Sequence, residues 1–480
     1  MLKLYRTPIK FSSPNILKPL FTNINNKRGK NKMKIHTIGG FNEVGKNMTC
    51  VDLGEDAVIF DMGVYLPAII ELQEEELQQK VYSEKKLRSK GALPDDLVLD
   101  QQGVRKKVRA ILLGHAHLDH IGAIPYIAYR YPNVPIVGTP FTIEVLKKIM
   151  ADDGIVIQNP LKVVQPNSSY MIKGKNQTYK ADFINITHST IQTSMIGLHT
   201  KEGAVLYAND FKLDNNPTMG LPPNYKALSA LGKKGVKVLI VDSLYSSSER
   251  KTPSEKIARA LVEETLTTIN NRNSAIFVST FSSHIARLKS IVEYARKLNR
   301  QVFFLGRSLK KYVEAAHNIG QCPFWKDIQI GSYKRQIESI LKKVQKNPTK
   351  YLVVCTGHQG ENGSILDRLA RGKLDFHFKP NDNIVFSSKT IPTPENVAHR
   401  ESLDKRLKKS GVRIFDNVHV SGHAGREDLR DLLSLVKPQH IIPAHGSTSQ
   451  LIPMVELSRE LGYDVNKKCH IVQDGQTLKI

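Results

Sequence analysis

The sequence predicts an α/β fold, with helices and parallel strands alternating in the middle of the chain and strands dominating on either side. Between residues 247 and 394, short apolar runs alternate with amphipathic segments of helical period. This βαβα order predicts a parallel sheet with helices on both faces. The predicted strands are 275–279, 301–305 and 351–355, and the predicted helices are 285–298, 308–319 and 337–344. Elsewhere, several strand-like runs are followed directly by histidine or aspartate.

The part of the chain before residue 247 consists mainly of short strands separated by turns. Its first predicted strands are 34–38, 48–53 and 57–61. The charged segment 69–107 fits no regular pattern, and we expect a surface hairpin or arm there. Residues 1–32 contain no Asp or Glu and show no hydrophobic periodicity. We expect these residues to form a disordered basic extension, with a targeting segment as the alternative.

The middle segment begins at a helix-capping sequence. Thr252, Pro253, Ser254 and Glu255 form a capping-box pattern with proline at the first helical position, which predicts a helix to about residue 270. In parallel sheets, ligands bind beyond the carboxyl ends of the strands, so the loops 279–284 and 355–360 are candidate phosphate-binding loops. After residue 394 the predicted elements are strands again, at 412–415, 418–421 and 440–443.

The composition narrows the class of protein. The 480 residues are 40% apolar, enough for two or three domains with a large core. There is no apolar run of about eighteen residues, so no membrane-spanning segment is predicted. The four cysteines are scattered, which argues against zinc ribbons and disulfide frameworks and favours buried thiols in a reducing, cytoplasmic compartment. The net charge of +25 favours a polyanionic partner, most simply nucleic acid.

The most informative motif is HAHLDH at residues 115–120, directly after an apolar strand-like run. His115 and His117 are two residues apart, so on an extended chain their rings point to the same side. Asp119 and His120 follow where the chain turns and can face a second ion. Imidazole and carboxylate groups are the ligands that suit zinc or manganese. The motif therefore predicts a metal site, most simply one with two ions.

Three more residues repeat this context. His188, Asp210 and His445 each follow an apolar strand-like run. Any one of them alone would be well explained as a polar core residue with its hydrogen bonds satisfied. Because all three recur at the ends of predicted strands, we expect them to complete the metal site.

Together, these motifs resemble the metallo-β-lactamase superfamily and its β-CASP nuclease branch. The resemblance extends over residues 33–480, and two stretches, GGFNEVGKN at 39–47 and TFSSH at 280–284, are similar to archaeal ribonuclease J. The other segments that carry it are FDMG at 60–63, HAHLDH at 115–120, Asp242 and SGHAG at 421–425. It implies a metallo-β-lactamase αββα sandwich with an inserted β-CASP domain. The implied parts are a first lactamase part at 33–246, the β-CASP domain at 247–394 and a returning lactamase part at 395–480.

The resemblance also implies a role for each matching residue. One ion would be bound by His115, His117 and His188, and the other by Asp119, His120 and His445, with Asp210 as the bridge. Asp61 would lie behind the site and orient a ligand. Two such ions, zinc in first place with manganese as the alternative, would activate water and bind the phosphate oxygens. His423, oriented by Asp242, would act as proton donor or phosphate contact.

A 5′-phosphate pocket near the metals is implied as well. The matching positions are Ser283, His284, Ser421, His423, Ala424 and Gly425. Bacterial members usually have serine where this chain has Gly425, and asparagine where it has His284. A backbone N–H at Gly425 and the ring of His284 are the substitutes that we expect in the pocket.

The function that follows is that of a dinuclear metal-dependent ribonuclease. It would degrade 5′-monophosphorylated single-stranded RNA from the 5′ end, with some endonuclease activity, and would form a homodimer without membrane contact. His at position 445 favours RNA, since the DNA-repair members of the branch typically have valine there. The alternatives are an endoribonuclease of the mRNA 3′-end processing type, a catalytically silent RNA-binding scaffold and a small-molecule hydrolase.

Overall fold

The structure, a computed structural model, describes residues 33–75, 82–269, 273–391 and 394–480. The extension predicted at 1–32 lies outside the described residues. The strands are β1 (Lys34–Gly39), β2 (Met48–Asp52), β3 (Ala57–Phe60), β4 (Val108–Leu112), β5 (Ile136–Gly138), β6 (Leu161–Val163), β7 (Ser168–Lys173), β8 (Thr178–Asn185), β9 (Ser194–Thr200), β10 (Gly203–Ala208), β11 (Val236–Asp242), β12 (Ile276–Ser279), β13 (Gln301–Leu305), β14 (Ile328–Gly331), β15 (Tyr351–Cys355), β16 (Asn383–Phe386), β17 (Arg413–Phe415), β18 (His440–Ala444) and β19 (Gln476–Lys479). The helices are α1 (Leu66–Glu75), α2 (Glu84–Ser89), α3 (Leu97–Gln101), α4 (Leu118–Ile121), α5 (Ile124–Ile127), α6 (Pro140–Asp153), α7 (Tyr225–Lys234), α8 (Glu255–Thr268), α9 (Ile285–Lys297), α10 (Arg307–Asn318), α11 (Lys334–Lys346), α12 (Ile365–Ala370), α13 (Pro394–Lys409), α14 (Arg426–Val436) and α15 (Thr448–Glu460).

Two mixed sheets pack face to face. Their strand orders are β19-β1-β2-β3-β4-β5-β6 and β18-β11-β10-β9-β8-β7. Large apolar side chains from both inner faces fill the layer between the sheets, and the rings of Phe60 and Tyr207 stack across it at 4.9 Å. Helices α7, α14 and α15 cover the outer face of the second sheet, and α6 packs on the outside of the first. The αββα sandwich expected from the sequence is confirmed.

A third sheet has the order β14-β13-β15-β12-β16-β17, and all its strand pairs are parallel. Buried apolar residues cover both of its faces, as predicted for a βαβα segment. Strand β17 pairs with β16, so this sheet extends beyond residue 394 to Phe415. We call the part of the chain that forms this sheet the inserted unit. The division into domains, with its boundary at residue 394, stays a prediction.

The described residues of the segment 69–107, which are 69–75 and 82–107, form short helices rather than a hairpin or arm. Its described residues include parts of α1 and the short helices α2 and α3, and Leu72, Leu87 and Leu99 are buried in the main core. Many charged residues stand between these leucines and hide the apolar spacing in the sequence. The described helices are part of the helical layer that packs on the first sheet.

Two further local predictions were wrong. Helix α8 is capped by Ser254, which accepts a hydrogen bond from the Lys256 N–H, and not by Thr252. Thr252 instead donates its hydroxyl to the carbonyl of His423. The strand predicted at 418–421 does not form, because the carbonyl of Val418 accepts hydrogen bonds from side chains, including the Ser387 hydroxyl at 2.8 Å.

Two predictions from composition can be compared with the structure. All four cysteines are buried and unpaired, as expected for core thiols. Among the described residues, no helix combines the length and the apolar character needed to cross a bilayer.

Candidate metal centre and active site

The predicted site residues meet at one end of the sandwich because the strands that carry them end there. HAHLDH follows β4, and Asp61 follows the parallel neighbour β3. On the second sheet, β10, β11 and β18 run parallel and end at Asp210, Asp242 and His445. The two edges face each other across the core, so residues far apart in sequence converge on one cleft.

His115, His117, His188 and Asp210 form the first cluster of possible ligands. The His117 Nδ1 lies 3.0 Å from the His115 Nε2 and 3.2 Å from the His188 Nε2. The Asp210 Oδ2 lies 3.4 Å from the His115 Nε2 and 3.5 Å from the His188 Nε2. All four ligand atoms lie within 4.8 Å of one another, which is the spacing expected around a single ion.

Asp119, His120, Asp210 and His445 form the second cluster. The Asp210 Oδ1 lies 3.3 Å from the His120 Nε2 and 3.5 Å from the His445 Nδ1. Asp119 contributes its Oδ2, 3.5 Å from the His120 Nε2. Asp210 thus directs one oxygen into each cluster, which is the arrangement of a bridging carboxylate.

The ligand atoms fit divalent ions. The Asp210 Oδ1 is buried and has no hydrogen-bond partner, although a buried carboxylate oxygen without a partner is costly. Three residues of the site, Asp61, Asp210 and His445, have positive φ angles of 56°, 53° and 63°. Left-handed backbone at non-glycine residues is strained and concentrates at functional sites.

The protonation states also suit metal binding, which needs neutral imidazoles and ionised carboxylates. Burial lowers the pKa of His115, and it lowers the pKa of His117 and His188 well below the usual range. Burial opposes ionisation of Asp210, but the nearby imidazoles of His445 and His120 outweigh it and hold the pKa of Asp210 well below its usual value. These four residues are therefore in the form that coordinates a cation. At His120, burial lowers the pKa, but the carboxylates of Asp210 and Asp119 outweigh it and raise the pKa well above the usual value, so a cation there displaces a proton. The protein binds divalent metal at these clusters.

Asp61 holds the ring of His120 from behind. It is fully buried and accepts hydrogen bonds from the His120 Nδ1 at 2.7 Å, the Gly114 N–H at 2.8 Å and the Tyr207 hydroxyl at 2.8 Å. A carboxylate in this position fixes the tautomer and the direction of the ligand nitrogen. The position predicted for Asp61 behind the ligands is the one it takes.

Sequence reasoning missed Asn47 as a site residue. Its amide nitrogen lies 3.0 Å from both the His120 Nε2 and the His445 Nδ1, and it donates to the carbonyl of Asp119. Asn209 holds the other end of this amide by donating to the Asn47 Oδ1 at 2.9 Å. Asn47 belongs to the GGFNEVGKN stretch, but no ligand-like spacing marks it in the sequence.

His423 and Asp242 form a pair beside both clusters. The His423 Nδ1 lies 2.8 Å from the buried Asp242 Oδ2, and the His423 ring lies 5.0 Å from that of His188 and 5.4 Å from that of His445. Burial lowers the pKa of His423, but the carboxylates of Asp242 and Asp210 outweigh it and raise the pKa to about 9. The structure therefore brings a protonated imidazole to the edge of the cleft.

The cleft holds a cavity of about 270 Å³ beside the two clusters. Ser283, Ser421 and His423 line it, and the Ser283 Oγ lies 2.9 Å from the His117 Nε2. The inserted unit also contacts the HAHLDH segment through Tyr312, whose hydroxyl donates to the carbonyl of Ala116. Other lining residues supply rings and cationic or polar groups: Tyr245, Phe281, His358, Lys389, Asn396 and His419.

The other three predicted pocket residues do not line this cavity. The ring of His284 points away from it and lies 3.2 Å from the carboxylate of Glu255. Ala424 is buried in the core of the second sheet. The N–H of Gly425 donates to the Asp428 carboxylate at the start of α14, so it is not available to a phosphate. The predicted substitutes at His284 and Gly425 are therefore wrong.

The position of Gly425 explains why serine is absent there. A Cβ atom at this residue would lie 2.2 Å from the carbonyl oxygen of Arg250, which is backbone and cannot rotate away. We expect Gly425→Ala to lower the free energy of unfolding by about 1–3 kcal/mol through overpacking. Denaturant titration checks this, with Gly197→Ala as the control, since the atom nearest its Cβ, at 3.1 Å, belongs to the flexible side chain of Leu231. Equal losses in the two variants would contradict the explanation.

Comparisons with known proteins agree with this architecture. The family model described as "Ribonuclease J, beta-CASP domain" matches residues 273–402, and "Metallo-beta-lactamase superfamily" matches 42–213. A third, "Zn-dependent metallo-hydrolase RNA specificity domain", matches 411–471. A solved structure of a protein of unknown function from Enterococcus faecalis has a TM-score of 0.62 at 18% identity and covers 94% of this chain and 100% of its own, which shows the fold alone.

Curated relatives match over nearly the whole chain. Ribonuclease J of Pyrococcus abyssi is 42% identical over 451 residues, which cover 94% of this chain and 98% of that protein. Ribonuclease J of Methanocaldococcus jannaschii is 41% identical over 449 residues, with 93% and 98% covered. Ribonuclease J of Helicobacter pylori is 30% identical over 460 residues, which cover 95% of this chain and 62% of that protein. Since these matches span both parts of the sandwich and the inserted unit, the chain belongs to the ribonuclease J family.

Proposed function

We propose that the protein is a metal-dependent ribonuclease that degrades 5′-monophosphorylated single-stranded RNA from its 5′ end. The observation that carries this proposal is the cavity beside the ligand clusters, where the hydroxyls of Ser283 and Ser421 face the same space as His423. Serine hydroxyls and a protonated imidazole are donors suited to a terminal phosphate. The names of the relatives above, which are ribonucleases, support RNA as the substrate.

The proposed chemistry assigns separate tasks to the residues of the cleft. Two divalent ions, when bound at the clusters, would supply an activated water and neutralise charge on the phosphate. Asp61 would keep the ring of His120 aimed at the cleft, because it holds the Nδ1 and leaves the Nε2 free for an ion. His423, kept protonated by Asp242, would donate a proton to the leaving oxygen or bind the phosphate.

The ligand chemistry favours zinc, with manganese as the alternative. Five of the seven proposed ligands are histidines, and imidazole is a preferred zinc ligand, whereas carboxylates also suit manganese. Metal analysis of protein purified without added metal would distinguish the two. A homodimer in the cytoplasm completes the proposal, and sedimentation analysis tests the dimer.

The lining of the cavity suits a single strand. The ring of Phe281 lies 4.3 Å from the ring of His358, and the ammonium of the exposed Lys389 lies 6.0 Å from the ring of Tyr245. Aromatic rings and cations that line a cleft bind unstacked bases and backbone phosphates without sequence preference. A histidine or aspartate is present at every proposed ligand position of both clusters, which argues against the alternative of a catalytically silent RNA-binding scaffold.

The proposal predicts that the 5′ end of the RNA controls the rate. We expect 5′-monophosphorylated RNA to be shortened to mononucleotides about tenfold or more faster than 5′-hydroxyl or 5′-triphosphorylated RNA, because a hydrogen-bonded charged group contributes roughly 1.5–3 kcal/mol. A time course with the three RNAs labelled at the 3′ end and with metal-assayed protein measures this. Equal rates would refute the phosphate pocket, and long fragments as the main product would favour the endoribonuclease alternative.

A further inference from the structure

A buried group of charged residues lies close to the first ligand cluster, around a pocket that His188 also lines. We call it the interdomain ion cluster, and it consists of Lys212, Asp214, Glu255, His284 and Arg287. Each of these residues is at least nine-tenths buried, and the chemistry proposed above assigns none of them a task. Burying five ionisable side chains is costly unless they are paired with one another. Each of these residues does have a partner of opposite charge within the cluster.

Arg287 is at the centre of the cluster and is fully buried. Its guanidinium binds the Glu255 carboxylate in bidentate fashion, with Nε to Oε1 at 2.6 Å and Nη2 to Oε2 at 2.9 Å. Its third nitrogen donates to the Ser387 carbonyl at 2.8 Å and contacts the Ser387 hydroxyl at 3.0 Å. The planar guanidinium therefore joins α8 and α9 to the end of β16 in one geometry that lysine cannot reproduce.

The returning part of the sandwich attaches to the same arginine. The Ser387 hydroxyl donates to the Val418 carbonyl at 2.8 Å, and the Arg287 Nη1 lies 3.3 Å from the His419 Nδ1. Val418 and His419 lead directly into Ser421, one wall of the proposed phosphate pocket. His284, which contacts Glu255 at 3.2 Å, directly follows Ser283, the opposite wall.

The first part of the sandwich is attached through Glu255. The backbone N–H of Glu255 donates to the Asp214 Oδ2 at 2.7 Å, and the ammonium of Lys212 lies 3.4 Å from the same oxygen. Lys212 in turn exchanges hydrogen bonds with Thr187, next to His188. Residues of the cluster, or residues hydrogen-bonded to them, thus lie within three sequence positions of Ser283, Ser421, His188 and Asp210.

We propose that the Glu255–Arg287 pair is a positioning device that sets the distance between the Ser283 and Ser421 walls, and through it the preference for a terminal phosphate. This inference rests on the proposed function. A buried ion pair contributes little net stability compared with apolar residues of the same volume, but it enforces one geometry. Here the pair joins the first part of the sandwich, the inserted unit and the returning part of the sandwich, and no sheet is shared by all three at this point.

The test compares Arg287→Lys with the matched control Arg300→Lys. Arg300 is also buried in the inserted unit, but it binds the carbonyls of Pro348 and Tyr351 where the parallel strands begin. The Glu255–Arg287 pair lies at the other end of these strands. For Arg287→Lys we expect KM for 5′-monophosphorylated RNA to rise about tenfold to a hundredfold, the effect of a misplaced binding group. Metal content and hydrolysis of the small diester bis(p-nitrophenyl) phosphate should stay unchanged, because neither needs the pocket. Arg300→Lys should leave KM unchanged.

Ser387→Ala provides a milder variant in case the arginine variant folds poorly. It removes only the hydroxyl that links Arg287 to Val418, and we expect a smaller rise in KM in the same direction. The inference is overturned if both variants keep the wild-type KM, or if activity on RNA and on the small diester falls in proportion, as a loss of folded protein would produce. A wild-type enzyme without any 5′-monophosphate preference would instead overturn the proposed function, and the inference with it.

Discussion

Replacement of Asp119 with alanine is expected to abolish RNA cleavage and to remove metal from the second cluster. Asp119 supplies a carboxylate to this cluster, and its absence leaves only His120, His445 and the shared Asp210. His423→Ala is also expected to reduce cleavage by about 10²–10⁴-fold, the usual contribution of a general acid. It should keep its metal, because His423 belongs to neither four-residue cluster, although with Asp242 and Asp210 it forms a third, three-residue group of possible ligands.

Metal content per chain and the cleavage rate, measured on the same preparations, separate the two roles. His199→Ala is a suitable control, since His199 pairs with Asp182 on β8, away from the cleft. Loss of metal in both the Asp119 and His423 variants would contradict the division of roles. Full activity of His423→Ala with metal retained would remove this residue from the mechanism.

Asp242→Asn is expected to shift the pH profile. The carboxylate of Asp242 is the largest influence raising the pKa of His423, against the effect of burial, to about 9. Because the pKa is raised, the imidazole of His423 stays protonated through neutral pH and loses its proton as the pH rises through the pKa. Without the carboxylate the pKa falls, so the protonated form is lost at lower pH. Bound cations lower the pKa in both proteins, but the direction of the difference is the same.

The alkaline limb of kcat against pH should therefore move to lower pH in Asp242→Asn, with a loss of about 10²-fold or more near pH 8 and a smaller loss near pH 6. Stopped time courses at saturating 5′-monophosphorylated RNA give the profile. Metal content should match the wild type, as for His423→Ala. A uniform loss across the whole pH range would show that Asp242 does not act through the protonation of His423.

The convergence of four proposed ligand residues was predictable because one local rule covers them. His115, His188, Asp210 and His445 each follow an apolar strand, and parallel strands carry their ends to the same edge of a sheet. Asp61 follows the same rule and lies where it was expected. Asn47 was missed because its role depends on which residues of three other segments surround it, and that is a property of packing.

The failures have the same physical origin. The ring of His284 does not line the proposed phosphate pocket, because it pairs with the buried carboxylate of Glu255 on the neighbouring helix α8. Thr252 is not the helix cap because its hydroxyl is used by the chain next to His423. In the segment 69–107, the buried leucines Leu72, Leu87 and Leu99 lie on three separate helices, so they give no clear period in the sequence. In each case tertiary contacts override a local pattern.

The left-handed backbone at Asp61, Asp210 and His445 links the stability of the folded protein to metal binding. Each such residue costs about 1 kcal/mol or more, and a cation bound only by the folded chain offsets that cost by a free energy that rises with the logarithm of its concentration. The supply of metal would then govern how much folded protein persists against proteolysis, as well as how fast each molecule works.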